Sequence, residues 1–225
     1  TDALHRSATS DDPEHRSGSS RLRCVLARAS ASGEALGYAW FAVKSDWTPA
    51  GPAGSTHVRE LISLDAPSGA ALVAFLCDID LTTETRFADL PVDHQLFRLL
   101  VEPHRSPPTL SDQLWTRLID VGAALSSRTY AVDVDARLEV RDEFCGWNAG
   151  VWHLTGGPSG ATCVRTADAP DLVLDVRELG AAYLGDMSLH WATAAGLVEE
   201  RAPGASATVS RALAHTPLPW CSFVF

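Results

Sequence analysis

Hydrophobic and polar positions alternate along much of this chain, and the alternation defines its elements before any chemistry is considered. The opening stretch, TDALHRSATSDDPEHRSGSS, has no hydrophobic period and reads as a linker or a frayed element. Order is expected from residues 21–29, where Leu22, Cys24 and Leu26 alternate with charged or small neighbours as in a half-buried strand. A turn at Ser32-Gly33-Glu34 leads to a second strand over 36–44, and a third is expected over 57–64. Residues 68–81 then switch period. Leu72, Phe75, Leu76 and Ile79 fall at i, i+3, i+4 and i+7, and Ser68 or Asp65 can cap the helix they imply. Strands followed by a helix make an α+β pattern.

The Pro-rich stretch VEPHRSPPTLSD, 101–112, is the best candidate for a boundary. Beyond it the pattern restarts. It predicts a strand over 114–120, a helix over 121–131, and antiparallel strands over 137–144, 149–156 and 162–167. A strand passing into a helix is expected over 171–186, with further helices over 188–198 and 206–215. The resulting division is 1–20 linker, 21–112 first domain and 113–225 second domain. The last residues, PLPWCSFVF, put Trp220, Phe223, Val224 and Phe225 within six positions. That is an unusually apolar end for a chain.

Composition adds little beyond exclusions. With 46% hydrophobic and 20% charged residues over 225 positions, the chain can bury a substantial core. No run of 18 apolar residues predicts a membrane span, and no secretory leader is visible, so a cytoplasmic protein is expected. Thr1 in place of an initiator Met suggests a processed chain or a fragment. The formal charge of −10 argues against phosphate-backbone binding, and hence against nucleic acid, while attracting cationic small molecules. Five scattered cysteines read as buried free thiols, and eight histidines form no HxH or HxxxH pair, so no metal is expected.

Three features carry candidate chemistry. RELGAA, 177–182, matches the Arg-x-x-Gly-x-Ala loop with which acetyltransferases of the GNAT class hold coenzyme A pyrophosphate at a helix N-terminus. Gly180, however, falls within a helical pattern. Trp147 and Trp152 flank a glycine turn and could belong to the core or line a lipid tunnel. The terminal carboxylate of Phe225 is the third. An α-carboxyl ordinarily titrates near about 3.5, and seating among aromatic rings would raise that value toward a useful general base. The same sequence would equally serve to pin a terminal strand into the core.

ELGAAYLGD (178–186), WATAAGLV (191–198) and the tail ending on Phe225 resemble the terminal region of the Eis, or enhanced intracellular survival, family of aminoglycoside N-acetyltransferases. Residues 114–131, LPVDHQL (90–96) and DDPEHRSGSSRLRCVLAR (11–28) are similar to family segments too. The resemblance implies a partial second GNAT-like domain without a cofactor site, followed by a sterol-carrier-like α+β domain. RELGAA would then be a helix of the latter. By that match, acetyl-CoA would be the co-substrate, bound by a missing N-terminal GNAT domain, and this chain alone would be inactive. Phe225 would supply the general base, and Asp93 would line the substrate pocket as a counter-charge to a polycationic amine. By its residue type, Asp93 could also be a turn aspartate. The family's tyrosine acid has no counterpart among Tyr38, Tyr130 and Tyr183. Val224 stands where some members carry an acidic residue, which bears on aminoglycoside breadth. A homo-oligomer, hexameric in the family, is implied as well. The rival readings are a sterol-carrier-like module for an apolar ligand and an oligomerisation region.

Overall fold

The computed structural model describes residues 9–112 and 114–221. Two compact units divide the chain. The first comprises the residues up to 113 together with those from Trp220 onward, and the second runs from Leu114 to Pro219. Phe225, expected to supply the general base, lies outside the described residues.

In the first unit, β1 (Arg23–Arg28), β2 (Ala35–Lys44) and β5 (Gly54–Ser63) form an antiparallel array, with a small ribbon of β3 (Trp47–Thr48) and β4 (Gly51–Pro52) beside it. The register of β2 on β5 slips between Trp40 and Phe41, so that Arg59 is an extra residue on β5. This bulge explains a departure from strict alternation. Val58 and Leu61, three positions apart, both face the core, where they are 2% and 4% exposed. Helix α1 (Ala66–Cys77) packs Leu72, Val73 and Leu76 on the same core, which also holds Ala39 and Phe41. The helix ends before Ile79, and Phe75 remains half exposed, with its ring set edge-on to Phe41.

Strand β6 (Thr82–Phe87) follows α1 and pairs parallel with β5, completing a strand–helix–strand crossover in a sheet ordered β1-β2-β5-β6. Its sequence, TTETRF, has no alternating apolar face, so pattern reading passes over it. The chain then continues to the short helix α2 (Leu96–Leu99).

The second unit begins with an extended segment, not the strand expected over 114–120. Those residues join no ladder; Leu118 is buried, and the Thr116 hydroxyl donates to the Gly180 carbonyl. Helix α3 (Val121–Ser126) is shorter than expected because Tyr130 turns inward, where its backbone N–H donates to Gly157. Strands β7 (Val134–Arg141), β8 (Gly150–Gly157), β9 (Gly160–Arg165), β10 (Leu172–Asp175) and β11 (Val198–Glu200) order as β11-β10-β7-β8-β9. Only β7 and β10 run parallel.

Helices α4 (Val176–Tyr183), α5 (Leu189–Ala194) and α6 (Ala205–Leu213) contribute Leu179, Leu189, Val209 and Leu213 to the core formed with Val134, Leu138 and Leu154. Along β7 the alternation is strict: Val134, Ala136, Leu138 and Val140 face inward, with charged residues between them. Val198 belongs to β11 and not to the preceding helix, since Gly196 turns the chain at φ +75°. Cys145 and Cys163 are buried free thiols, whereas Cys24 and Cys77 are exposed, which corrects the expectation for the latter pair.

Asn148 organises the join between α3 and the β7–β8 connection. It accepts from the Val121 N–H at 3.0 Å and donates to Leu118 O and to the Asp142 carboxylate. Burial alone would push the Asp142 pKa up, but the Asn148 amide, the Cys145 and Phe144 N–H groups and Arg117 together hold it below the usual carboxylate range. A depressed folded-state pKa contributes stability that is present above the unfolded value of about 3.9 and is lost as pH falls through the folded value. Asn148→Ala is expected to cost about 2–3 kcal/mol by stranding buried partners. Asp142→Asn should flatten the acid limb below about pH 4. Urea unfolding followed from pH 2 to 7 measures both effects.

Candidate functional site

The first unit contains a cleft of about 890 Å³, within the range of small-molecule sites. Its walls are β6, the loop after it, α2 and the segment 105–111. Asp93 stands on this wall and is exposed, beside His94. Glu84, Asp89, Arg86, Arg98 and Arg105 supply the other charges. Two of these cations are paired, Arg86 with Glu84 at 2.8 Å and Arg105 with Glu102 at 3.0 Å. The cleft is thus of mixed sign, not the narrow acidic slot that a polycation site would present in its simplest form.

The loop carrying Asp93 is fixed at both ends. Ala88 N–H donates to Val58 O, which ends the pairing of β6. At the other end the Gln95 amide donates to the Ser63 hydroxyl, and Leu96 is buried in the core. Between them, His94 Nδ1 accepts the Leu96 N–H at 3.1 Å. That acceptance places the proton of the neutral imidazole on Nε2. Burial lowers the His94 pKa, against a smaller upward pull from Asp93, so the ring is neutral near pH 7. The resemblance of LPVDHQL to a family segment points only to its aspartate. The signal for His94 is its adjacency to Asp93 at the start of a helix.

A GNAT-type cofactor would be expected on a helix N-terminus that follows a strand of the sheet. In the first unit that position is the start of α1, and its residues do not fit a pyrophosphate. The Asp65 carboxylate accepts the Ser68 N–H at 2.8 Å, and the Asp65 carbonyl accepts that of Gly69. Pro67 offers no N–H at all. The Gln95 amide lies so close to Gly69 that a Cβ there would clash with it. A negative charge is already seated where a phosphate would need donors.

RELGAA lies within α4, capped by Asp175, whose carboxylate accepts the Arg177 N–H; it forms no Gly-rich loop. The tyrosines are likewise engaged within the chain. Tyr38 donates to Glu60 at 3.0 Å, and burial together with that carboxylate pushes its pKa up to about 12. Tyr130 and Tyr183 donate to the Leu125 and Ala124 carbonyls. Trp152 packs against Gly122 in the core of the second unit, while Trp147 is exposed. No group of three or more potential metal ligands occurs among the described residues, and none of their helices is long and apolar enough to cross a membrane.

Two outcomes test this geometry. An NMR titration should find the His94 midpoint below 6.5, and Asp93→Asn should move it lower still, because it removes the charge that favours imidazolium. Asp65→Ala should cost about 1 kcal/mol of stability as a lost helix cap while leaving the KM for acetyl-CoA unchanged. A raised KM would place the coenzyme at α1 after all.

Residues 1–121 match the model of an acetyltransferase (GNAT) domain, and residues 121–222 match that of a sterol carrier protein domain. An uncharacterised N-acetyltransferase of Streptomyces avermitilis is 48% identical over 210 residues, covering 93% of this chain and 51% of the relative. One from Streptomyces coelicolor is 46% identical over 210 residues, covering 93% and 50%. The chain therefore spans about half the length of the curated relatives it matches. The crystal structure of Eis1 from Mycobacterium abscessus superposes with a TM-score of 0.71 at 27% identity, over 84% of this chain and 50% of that one. A GCN5-related N-acetyltransferase from Anabaena variabilis, at 18% identity and a TM-score of 0.70 over 99% of this chain and 54% of that one, shares the fold. These matches correct the expectation of a chain without an acetyltransferase domain, since residues 1–121 match one and the β5–α1–β6 crossover is present. The chain belongs to the GNAT acetyltransferase family, with a sterol carrier protein domain following its GNAT domain.

Proposed function

We propose that this chain serves acetyl-CoA-dependent N-acetylation of an amine on an aminoglycoside-like polycationic substrate. The observation that carries the reading is the cleft of the first unit. It has small-molecule size and bears Asp93 on its wall, in a domain of the acetyltransferase family. Trp220 hydrogen-bonds to Asp89, another residue of that wall, so residue 220 lies beside the cleft.

In this reading Asp93 holds a substrate ammonium by charge, and the neutral His94 offers its Nε2–H to a hydroxyl or an uncharged amine. The Phe225 carboxylate takes the proton from the reacting nitrogen. A carboxylate among aromatic side chains is a stronger base than one in water, because desolvation penalises its charged form. Acetyl-CoA supplies the acetyl group. Assembly as a homo-oligomer is part of the same reading, and the solution mass of the purified protein tests it.

The experiment compares the full-length protein with a variant carrying one additional residue after Phe225, using acetyl-CoA and kanamycin. The extension should lower kcat by at least about a hundredfold, the scale of a lost general base. Asp93→Asn should instead raise the KM for kanamycin about tenfold with a smaller change in kcat, as expected for a binding charge. Unchanged turnover in the extended variant would remove Phe225 from the mechanism. An unchanged KM in Asp93→Asn would remove the counter-charge.

A further inference from the structure

Three arginines stand on the wall of the cleft, and two are already answered, Arg86 by Glu84 and Arg105 by Glu102. Among the described residues no carboxylate pairs with the third, the exposed Arg98. Arg98 lies four positions after His94. The Phe97 N–H donates to the His94 carbonyl at 3.2 Å, and the Arg98 N–H to that of Gln95 at 2.9 Å. The chain thus winds through one helical turn between them, and side chains four apart on such a turn are neighbours. Both line the cleft. His94 spends Nδ1 on the Leu96 N–H, which leaves Nε2–H as its donor, and no described residue accepts from it. The wall therefore presents an imidazole N–H and a guanidinium side by side, two donors whose strongest bonds are to an oxyanion.

The carboxylates set a second condition. Asp93 adjoins His94, and Asp89 stands on the same wall, so a lone anion drawn to Arg98 is also repelled. An anion joined to an ammonium satisfies both signs. We infer that His94 and Arg98 form a subsite for the oxyanion of an amine ligand, a phosphate or a carboxylate, beside Asp93, which holds its ammonium. The ligand class is a zwitterion, with Arg98 supplying charge and His94 supplying direction. This goes beyond the polycation proposed above and takes from that reading only the role of Asp93.

The test is binding, so it does not depend on acetyl transfer. Protein labelled with 15N in histidine is titrated at fixed pH and ionic strength with phosphoethanolamine, β-alanine, ethanolamine and methyl phosphate. The His94 Nε2 signal should shift saturably with at least one of the two zwitterions, and at least about tenfold more tightly than with either single-charge probe. The preferred zwitterion assigns phosphate or carboxylate. Arg98→Gln should weaken that binding about tenfold or more, the scale of one hydrogen bond to a charged group. Arg98→Lys should retain part of it, and Arg105→Gln, at a position already paired with Glu102, should leave it unchanged. Equal binding in Arg98→Gln, or no saturable shift with either zwitterion, would overturn the subsite. Methyl phosphate binding as tightly as phosphoethanolamine would overturn the zwitterion. Asp93→Asn should erase the advantage of the zwitterion. An advantage retained there would remove Asp93 as the ammonium site, and so the counter-charge of the proposed function, while loss of binding in Arg98→Gln would still support the oxyanion subsite.

Discussion

Gln95 is a wedge on which the geometry of the first unit depends. Its amide reaches the Ser63 hydroxyl at the end of β5 and lies against Gly69 in the first turn of α1. A side chain of any size at position 69 would displace it, so the glycine and the glutamine specify one another. Three consequences follow from one contact. The start of α1 is closed, the loop after β6 is returned to the sheet, and Asp93 is presented on the cleft wall. A helix N-terminus is a natural anion site, yet here its donors are spent internally on Asp65. An acetyltransferase fold can thus keep its crossover while the position that would grip a phosphate becomes part of the core.

The second unit relies on buried polar satisfaction where the first relies on a wedge. Asn148 and Asp142 are almost fully buried and together serve Val121, Leu118, Cys145 and Arg117. Such a network is costly when incomplete and specifying when complete. It fixes the extended segment 114–120 against the β7–β8 connection without any ladder, which is how a stretch that reads as a strand does the work of a strap. The Trp152 ring fills the space over Gly122, so a side chain at that position would have to displace it.

Much of the fold was legible from periodicity because most strands bury one face. β7 alternates without error, and β8 and β9 fall where glycine turns bracket apolar runs. The failures have physical causes. β6 is polar, since it lies at the outside of its sheet and contributes little to the core. Residues 114–120 have strand composition but are held by side chains instead of a partner strand. Val198 read as helical because Gly196, which ends the helix, follows an Ala-rich run. At the site, the Asp93 position was reached through family resemblance and Trp220 stood out in the apolar tail, whereas His94 and the partner of Trp220 became visible only through their contacts. No local pattern announces a hydrogen bond between an indole and a carbonyl on another part of the chain.

The polarity that hid β6 has a consequence for the protein among its neighbours. Ala88 N–H points toward β5, so by alternation the backbone groups of Thr85 and Phe87 point away from that strand. Among the described residues β6 is the outermost strand of its sheet, and such a strand is a template on which another chain can assemble. On β6, Glu84 and Arg86 form an ion pair on that strand, and its threonines replace the aliphatic residues that would make such an edge adhesive. A change of these two charged residues to valine would make the strand easier to read from its sequence, and would raise the tendency of the protein to aggregate.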